Sequence, residues 1–156
     1  MLRVIAVGRL RDEPEAALFD RYAGRIRPKL ALTEIAEMRG APAEVKRREG
    51  AALLALLPER AFVVVLDQDG SLPDSCQLAA EVERWLSLGR SVCFLIGGTE
   101  GHDARVLARA DYVLSLGPLT WPHFLVRAML AEQLYRARSI ASGHPYHRAA
   151  RPRLSR

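Results

Sequence analysis

Two loops marked by glycine or proline carry the clearest chemical signal in this sequence. Gly97 and Gly98 follow the apolar run 92–96, and Gly117-Pro118 interrupts the end of a second apolar segment. Loops at the ends of buried strands are where open α/β sheets hold their ligands. Backbone amides and carbonyls between apolar walls suit a flat ligand with polar edges, such as adenosine. A glycine after a strand is also a common simple turn, so the loops alone predict only a small-molecule site.

Other familiar sites are missing from the sequence. The first apolar run is followed by Gly8-Arg9-Leu10, so there is no G-x-G-x-x-G dinucleotide fingerprint, and no G-x-x-x-x-G-K-[ST] phosphate loop occurs. Cys76 and Cys93 have neither metal-ligand spacing nor the pattern of a disulfide framework. Cys93 lies inside an apolar run, where a thiol is usually a packing residue. The sequence therefore predicts no metal site and no thiol catalysis.

Positive charge is concentrated at the C-terminal end. The chain has 23 basic and 18 acidic residues, a net charge of +5, and no acidic residue after Glu132. Uncompensated positive charge suits a polyanion, and arginine both stacks on bases and binds phosphate, so RNA is a natural partner. A solvated basic tail explains the same charge equally well. The basic residues after Glu132 are Arg136, Arg138, His144, His147, Arg148, Arg151, Arg153 and Arg156.

The elements that must position these residues follow from the hydrophobic period, which switches between short apolar runs and helical spacing. Strands that alternate with helices predict a mainly parallel sheet with helices on both faces. Strands are predicted at 2–7, 30–38, 62–66, 92–96 and 112–116. Helices are predicted at 14–25, 43–57, 104–110 and 122–142, with one more that carries Leu78, Val82, Trp85 and Leu86 on one face and stops at Gly89.

Length and composition predict one globular domain, because 156 residues with 49% hydrophobic content can bury their own core. No apolar run reaches membrane-spanning length, and the start of the chain reads directly into a strand. We therefore expect a cytoplasmic protein with no membrane partner. Residues 1–148 form the predicted domain, and 149–156 form a basic C-terminal tail.

Four motifs in fixed order closely resemble the bacterial ribosomal RNA large subunit methyltransferase H family. They are Leu-Ile-Gly-Gly-x-x-Gly at 95–101, Leu-Ser-x-x-x-Leu-Thr-x-Pro-His at 114–123, Glu-Gln-Leu-Tyr-Arg-Ala at 132–137 and Gly-His-Pro-Tyr-His at 143–147. The resemblance covers nearly the whole chain. It implies a small SPOUT methyltransferase with a C-terminal trefoil knot that acts as a homodimer, although general topology rules argue against knots.

The resemblance also implies a reaction. The family uses S-adenosyl-L-methionine to methylate N3 of a pseudouridine in helix 69 of 23S rRNA, and it prefers the assembled 70S ribosome. Carried over by motif, the cofactor contacts, mostly through backbone, would be Leu66, Gly97, Gly98, Leu116, Gly117, Pro118, Leu119, Thr120 and Trp121. The chain departs from the family pattern at Gly117-Pro118 and at Trp121, and 149–156 extends past the usual family end.

Substrate handling is expected at the end of the last motif. Tyr146 could stack on the target base, His147 could take up or relay a proton, and Arg148 could contact phosphate. Without the resemblance, Tyr146 and His147 would more simply pack the chain end.

Three further side chains of the predicted last helix have simpler roles as alternatives to functional ones. His123 could cap the helix, and Arg127 could pair across an interface. Glu132 could form an i,i+4 pair with Arg136. We expect the homodimer contact to include an apolar stripe of the same helix, unless that stripe only covers the sheet. The stripe is formed by Val126, Met129, Leu130 and Leu134.

Three functions stay open at this stage. The first is the 23S rRNA pseudouridine N3-methyltransferase, and the second is a related knotted methyltransferase with another RNA target. The third is a non-enzymatic α/β module that binds RNA or a nucleotide. Binding of S-adenosylmethionine separates the third from the others, and the methylated product separates the first from the second.

Overall fold

The computed structural model describes residues 1–148, which contain a five-stranded sheet with strand order β2-β1-β4-β3-β5. Every pairing between neighbouring strands is parallel. This arrangement confirms the predicted parallel sheet. The strands are β1 (Leu2–Val7), β2 (Leu30–Ile35), β3 (Phe62–Ser71), β4 (Val92–Ile96) and β5 (Tyr112–Leu114).

Helices cover both faces of the sheet, as the sequence predicts. Alternate residues of a strand point to opposite faces, and β3 shows this directly. Val64 belongs to the core that α1, α3 and α5 complete, whereas Val63 and Val65 belong to the core under α2 and α4. The helices are α1 (Pro14–Ala23), α2 (Pro42–Ala55), α3 (Ser75–Ser87), α4 (Ala104–Arg109) and α5 (His123–Ala141).

Local sequence explains where several helices begin. Pro14 and Pro42 lie in the first turns of α1 and α2, where the missing N–H costs no helical hydrogen bond. Asp74 and Gln77 form a reciprocal capping box at the start of α3. The Asp103 carboxylate accepts the backbone N–H of Val106 at 3.0 Å and starts α4 directly after the Gly97–Gly101 loop.

β3 runs further than the sequence indicates. The predicted strand ends at Leu66, with a turn at Asp69-Gly70, but the strand extends to Ser71 through a bulge. Leu66 and Ser71 both pair with Leu114, so the residues between them loop out of the ladder. A Cβ atom on Gly70 would lie 2.7 Å from the backbone oxygen of Val113, so glycine permits this close return.

Other boundaries are shorter than predicted. β2 ends at Ile35 rather than at residue 38, and β5 ends at Leu114 rather than at residue 116. At the end of β5, the backbone N–H of Ser115 still bonds to the carbonyl of Ser71 at 2.8 Å. Its hydroxyl donates to the carbonyl of Gln68 at 3.0 Å and accepts the N–H of Gly117 at 3.0 Å, which turns the chain away from the sheet.

Three sequence-based expectations stay predictions. They are the trefoil knot, the assignment of 1–148 to one domain, and the basic tail 149–156, which lies outside the described residues. Within residues 1–148, no helix is long and apolar enough to cross a membrane. The same residues contain no cluster of three or more His, Cys, Asp or Glu side chains that could hold a metal ion.

Candidate active site

A cleft of about 330 Å³ opens at the carboxyl ends of β3, β4 and β5. Its volume falls in the usual range for small-molecule sites, and its place at the carboxyl edge of a parallel sheet is the expected one. The start of α5 closes one side. The lining residues come from four segments: Leu66, Asp67, Gln68 and Asp69; Ile96, Gly97, Gly98, Thr99, Gly101 and His102; Leu114, Leu116, Gly117, Leu119, Thr120 and Trp121; and His123 and Val126.

The structure brings together all but one of the residues expected at the cofactor. Pro118 does not line the cleft, whereas its neighbours Gly117 and Leu119 do. Leu119 is 66% exposed and Trp121 is 37% exposed, so the rim of the cleft presents large apolar side chains to solvent. Uncovered apolar surface beside polar backbone is characteristic of a ligand site. The residues that line the cleft as predicted are Leu66, Gly97, Gly98, Leu116, Gly117, Leu119, Thr120 and Trp121.

The glycines after β4 are required by the packing of their own loop. A Cβ on Gly97 would lie 3.2 Å from both the backbone of Gly101 and the ring of His102. A Cβ on Gly98 would lie 2.9 Å from Glu49 Oε2 and from the Val7 side chain. A side chain at either position therefore moves the loop.

His102 lies in the wall of the cleft and was not identified from the sequence. It is 8% exposed, and neither ring nitrogen makes a well-formed hydrogen bond to the described residues. Burial lowers the pKa of His102, although Asp67 and the carbonyls of Leu66 and Leu95 act in the opposite direction. The imidazole is therefore neutral at neutral pH and offers one donor and one acceptor. A single histidine after a glycine turn forms no sequence motif, so its place in the cleft could not be predicted.

His123 occupies the opposite side of the cleft, at the first position of α5. The alternative that it caps the helix is wrong, because Pro122 is the N-cap and no side-chain capping bond is present. His123 Nε2 lies 3.8 Å from Glu37 Oε1, and the ring packs edge-on against Phe124 at a centroid distance of 4.5 Å. Sequence reasoning missed Glu37, because a lone acid in a loop carries no pattern.

Arg127 holds the first two strands against α5. Its side chain is 0% exposed, and its guanidinium donates to Glu34 Oε1 at 2.7 Å, to the carbonyl of Gly8 at 2.6 Å and to the carbonyl of Val7. Burial lowers the pKa of Arg127, and the pair with Glu34 opposes that change. Because the side chain is fully buried within its own chain, Arg127 is not available for its alternative role, a pair across an interface.

The three residues expected to handle substrate do not line the cleft. The Tyr146 hydroxyl donates to Glu132 Oε1 at 3.0 Å, and its ring packs on Tyr135 at a centroid distance of 4.7 Å. His147 Nδ1 lies 3.3 Å from the Arg136 guanidinium, and Arg148 is exposed. The predicted pair between Glu132 and Arg136 is present. The chain end therefore packs on the outside of α5.

This packing leaves the chain end close to a second hollow. The hollow is about 600 Å³ in volume and is lined by Glu132 together with Leu114, Leu116 and Gly117, which also line the cleft. Burial, followed by hydrogen bonds with Tyr22 and Glu132, raises the pKa of the Tyr146 hydroxyl, so it stays protonated at neutral pH. Because Leu116 and Gly117 line both cavities, the loop after β5 lies between the cleft and the second hollow.

The expected dimer stripe on α5 is largely used inside the chain. Leu130 and Leu134 are 0% exposed and belong to the core between α5 and the sheet, so they are not available to a second copy. Val126 and Met129 are half-buried and line the cleft and the second hollow, respectively. The alternative that this face covers the sheet is the correct one for Leu130 and Leu134.

Comparison with known proteins agrees with this geometry. Residues 1–147 match the family described as "Predicted SPOUT methyltransferase". A protein of Gluconacetobacter diazotrophicus named "Ribosomal RNA large subunit methyltransferase H" is 66% identical over 151 residues, covering 97% of this chain and 99% of the relative. Proteins of the same name from Acidiphilium cryptum and Rhodospirillum rubrum are 51% and 53% identical, over 97% and 95% of this chain and 96% and 99% of their own lengths. The chain therefore belongs to the SPOUT methyltransferase family.

Proposed function

We propose that this chain transfers a methyl group from S-adenosylmethionine to N3 of a pseudouridine in helix 69 of 23S rRNA within the assembled ribosome. The observation that carries the proposal is the cleft at the carboxyl ends of β3, β4 and β5, built from the segments that family resemblance assigns to the cofactor. Membership of the SPOUT family and the names of the relatives support the reaction class and the rRNA target. The proposal implies a cytoplasmic protein, since assembled ribosomes are there.

The residues of the cleft fit a nucleoside-containing cofactor. Backbone groups of Gly97, Gly117 and Thr120 are within the lining, and the apolar side chains of Ile96 and Leu119 offer faces for a flat ring. The imidazole of His102 forms part of the buried wall of the cleft, close to the carbonyls of Leu66 and Leu95. Apolar walls with a few polar groups are the usual composition of such sites.

The chain has a modest chemical task. When S-adenosylmethionine is bound, its sulfonium supplies a methyl group that is already activated for transfer. The protein must then hold donor and acceptor in line, exclude water and receive the N3 proton. Apolar residues that line the cleft, including the exposed Trp121 and the half-buried Val126, can exclude water once a ligand is bound.

Tyr146, His147 and Arg148 stay the proposed contacts to RNA. Tyr146 is held between Tyr135 and the Arg136 guanidinium, which lies 4.9 Å from its ring, and Arg148 is exposed at the end of this arrangement. Aromatic rings alternating with arginines are common in surfaces that bind unpaired bases. To reach a base at the cleft, this segment must leave α5 or face the cleft of a second protomer. The proposed homodimer provides the second arrangement.

Two measurements test the proposal. Nucleoside mass spectrometry of 23S rRNA from a strain that lacks this protein should show loss of N3-methylated pseudouridine, and the gene supplied in trans should restore it. Persistence of the modified nucleoside with loss of another methylation would favour a related methyltransferase with a different RNA target. Calorimetry with S-adenosylhomocysteine tests the cleft itself. A folded protein that binds RNA but not this ligand would favour the non-enzymatic module.

A further inference from the structure

His123 is a titratable side chain at the edge of the cleft, and the groups around its two ring nitrogens differ. Nε2 is buried, makes no hydrogen bond among the described residues and lies 3.8 Å from Glu37 Oε1. The ring lines the cleft and its side chain is 20% exposed. Nδ1 is not among the buried unpaired atoms, and it makes no hydrogen bond to the described residues, so the exposed surface of the ring includes this nitrogen.

Glu37 favours one tautomer of this ring. An ionised carboxylate only accepts hydrogen bonds, so the nitrogen that faces it is the one that carries the proton. At 3.8 Å the orientation comes from the charge of Glu37 rather than from a formed hydrogen bond. The Thr99 hydroxyl donates to the same Glu37 oxygen at 3.4 Å and links Glu37 to the loop after β4. His123 is then neutral with an Nε2 proton, and the lone pair on Nδ1 is the accessible one.

We propose that Nδ1 of His123 is the general base that accepts the N3 proton of the target nucleobase, with Glu37 as the residue that positions the ring and increases its proton affinity. This inference rests on the proposed function. The N3–H bond breaks and the proton passes to Nδ1, and the electron pair left on N3 forms the new N3–C bond. The bond between the methyl carbon and sulfur breaks, and its electron pair returns to sulfur as a neutral thioether. The imidazolium then releases the proton to water.

The charged groups around His123 are compatible with this role. Burial lowers its pKa, Glu37 from the loop after β2 raises it, and Arg127 from the next turn of α5 lowers it again. Arg127 is itself paired with Glu34, which reduces its effect on the ring. The net direction is downward, so the imidazole is neutral and able to accept a proton at neutral pH.

The other histidines near the proposed reaction are less well placed to accept the proton. His147 Nδ1 lies 3.3 Å from the Arg136 guanidinium, which is always a donor, so the lone pair on this nitrogen is already engaged wherever the segment is placed. His102 lines the cleft but is 8% exposed, and both of its nitrogens are buried. His123 combines a place in the lining with an accessible nitrogen and a carboxylate behind the other one.

The test compares four single variants of the full-length protein: His123→Gln, His102→Gln, His147→Gln and Glu37→Gln. The methylation rate is measured on ribosomes lacking the modification, at saturating S-adenosylmethionine, between about pH 5 and about pH 8. The parent rate should rise with pH and level off as His123 loses its proton. His123→Gln should lower the plateau by roughly 10²–10⁴-fold and remove the rise. Glu37→Gln should lower the plateau less and move the rise to lower pH, because it removes a charge that raises the pKa of His123.

Two readouts do not depend on activity. Calorimetry with S-adenosylhomocysteine should give similar affinities for the parent and His123→Gln, which shows that the variant is folded and its cleft intact. Nitrogen-15 NMR of labelled histidine should find His123 protonated at Nε2 in the parent, with the Nδ1-protonated form increased in Glu37→Gln. This tautomer measurement tests the geometry even if the target RNA proves to be different.

Three results would overturn the inference. The first is a His123→Gln enzyme that keeps the parental rate and pH profile. The second is a His147→Gln or His102→Gln enzyme whose methylation rate no longer increases with pH, while the rate of His123→Gln still does. The third is a parent protein whose His123 carries its proton on Nδ1. A parent that binds S-adenosylhomocysteine but methylates no pseudouridine would instead contradict the proposed function.

Discussion

Arg127→Met should be among the most destabilising single substitutions in this chain. Arg127 is fully buried, and its guanidinium bonds to Glu34 and to the carbonyls of Val7 and Gly8. Methionine is similar in length and fills the same space, but it leaves a carboxylate and two carbonyls without their partner. The substitution therefore removes polar interactions without creating a large cavity.

The size of the effect follows from this arrangement. Removing one partner of a buried ion pair typically costs about 3–5 kcal/mol, because the remaining charge stays desolvated. For a domain of this size, with a urea dependence of about 2 kcal/mol per M, the unfolding midpoint should fall by roughly 1.5–2.5 M. Arg127→Lys should be intermediate, since an ammonium keeps the charge but cannot reach all three oxygens with the fork geometry of a guanidinium.

Urea denaturation followed by circular dichroism measures this effect. Arg48→Met is a matched control, because Arg48 is exposed on α2, and its free energy of unfolding should stay within about 0.5 kcal/mol of the parent. Adding Glu34→Gln to Arg127→Met should recover part of the loss, because the unpaired charge is then gone. If Arg127→Met were as stable as Arg48→Met, the view that Arg127 fastens β1 and β2 to α5 would be refuted.

Three other changes separate the parts of the site. Gly97→Val should weaken S-adenosylhomocysteine binding at least tenfold, because the new side chain pushes against the backbone of Gly101. Circular dichroism should show a retained fold, and unchanged affinity by calorimetry would contradict this prediction. Tyr146→Phe removes the hydroxyl bond to Glu132 and should increase proteolysis of the chain end without changing cofactor affinity, and equal protease resistance would show that this bond does not hold the segment. Arg148→Ala should weaken ribosome binding and reduce its salt dependence by about one phosphate contact. Deletion of 149–156 should weaken ribosome binding less, and a larger loss of affinity from the deletion would contradict this prediction.

The order of strands and helices was predictable because buried parallel strands are short continuous apolar runs. Val63, Val64 and Val65 show no alternation, which is typical of a strand covered on both faces. Apolar periodicity also located α5 and its buried residues Leu130 and Leu134. The bulge before Ser71 was not predictable, because it depends on Gly70 meeting the backbone of Val113, a contact made only in three dimensions.

The candidate site was predictable only where its residues form motifs. The glycine turn and the loop after β5 have a sequence pattern, and the structure places both around the cleft. Glu37, His102 and Glu34 are single polar residues that form no motif of their own, so only the fold shows what they contact. The placement of Tyr146 and His147 on α5 depends on Glu132 and Arg136, whose mutual pairing was predictable but whose contacts to the chain end were not.

The hydroxyl of Ser115 has an evolutionary consequence. It is 4% exposed and joins the carbonyl of Gln68 in the bulge of β3 to the N–H of Gly117 in the loop after β5. Both loops line the cleft, so one buried hydrogen-bonding group sets the spacing between them. A substitution that reshapes either loop is therefore felt by the other. Selection for a different ligand would have to act on the two loops as one inherited unit, with changes in each accepted only when the other accommodates them.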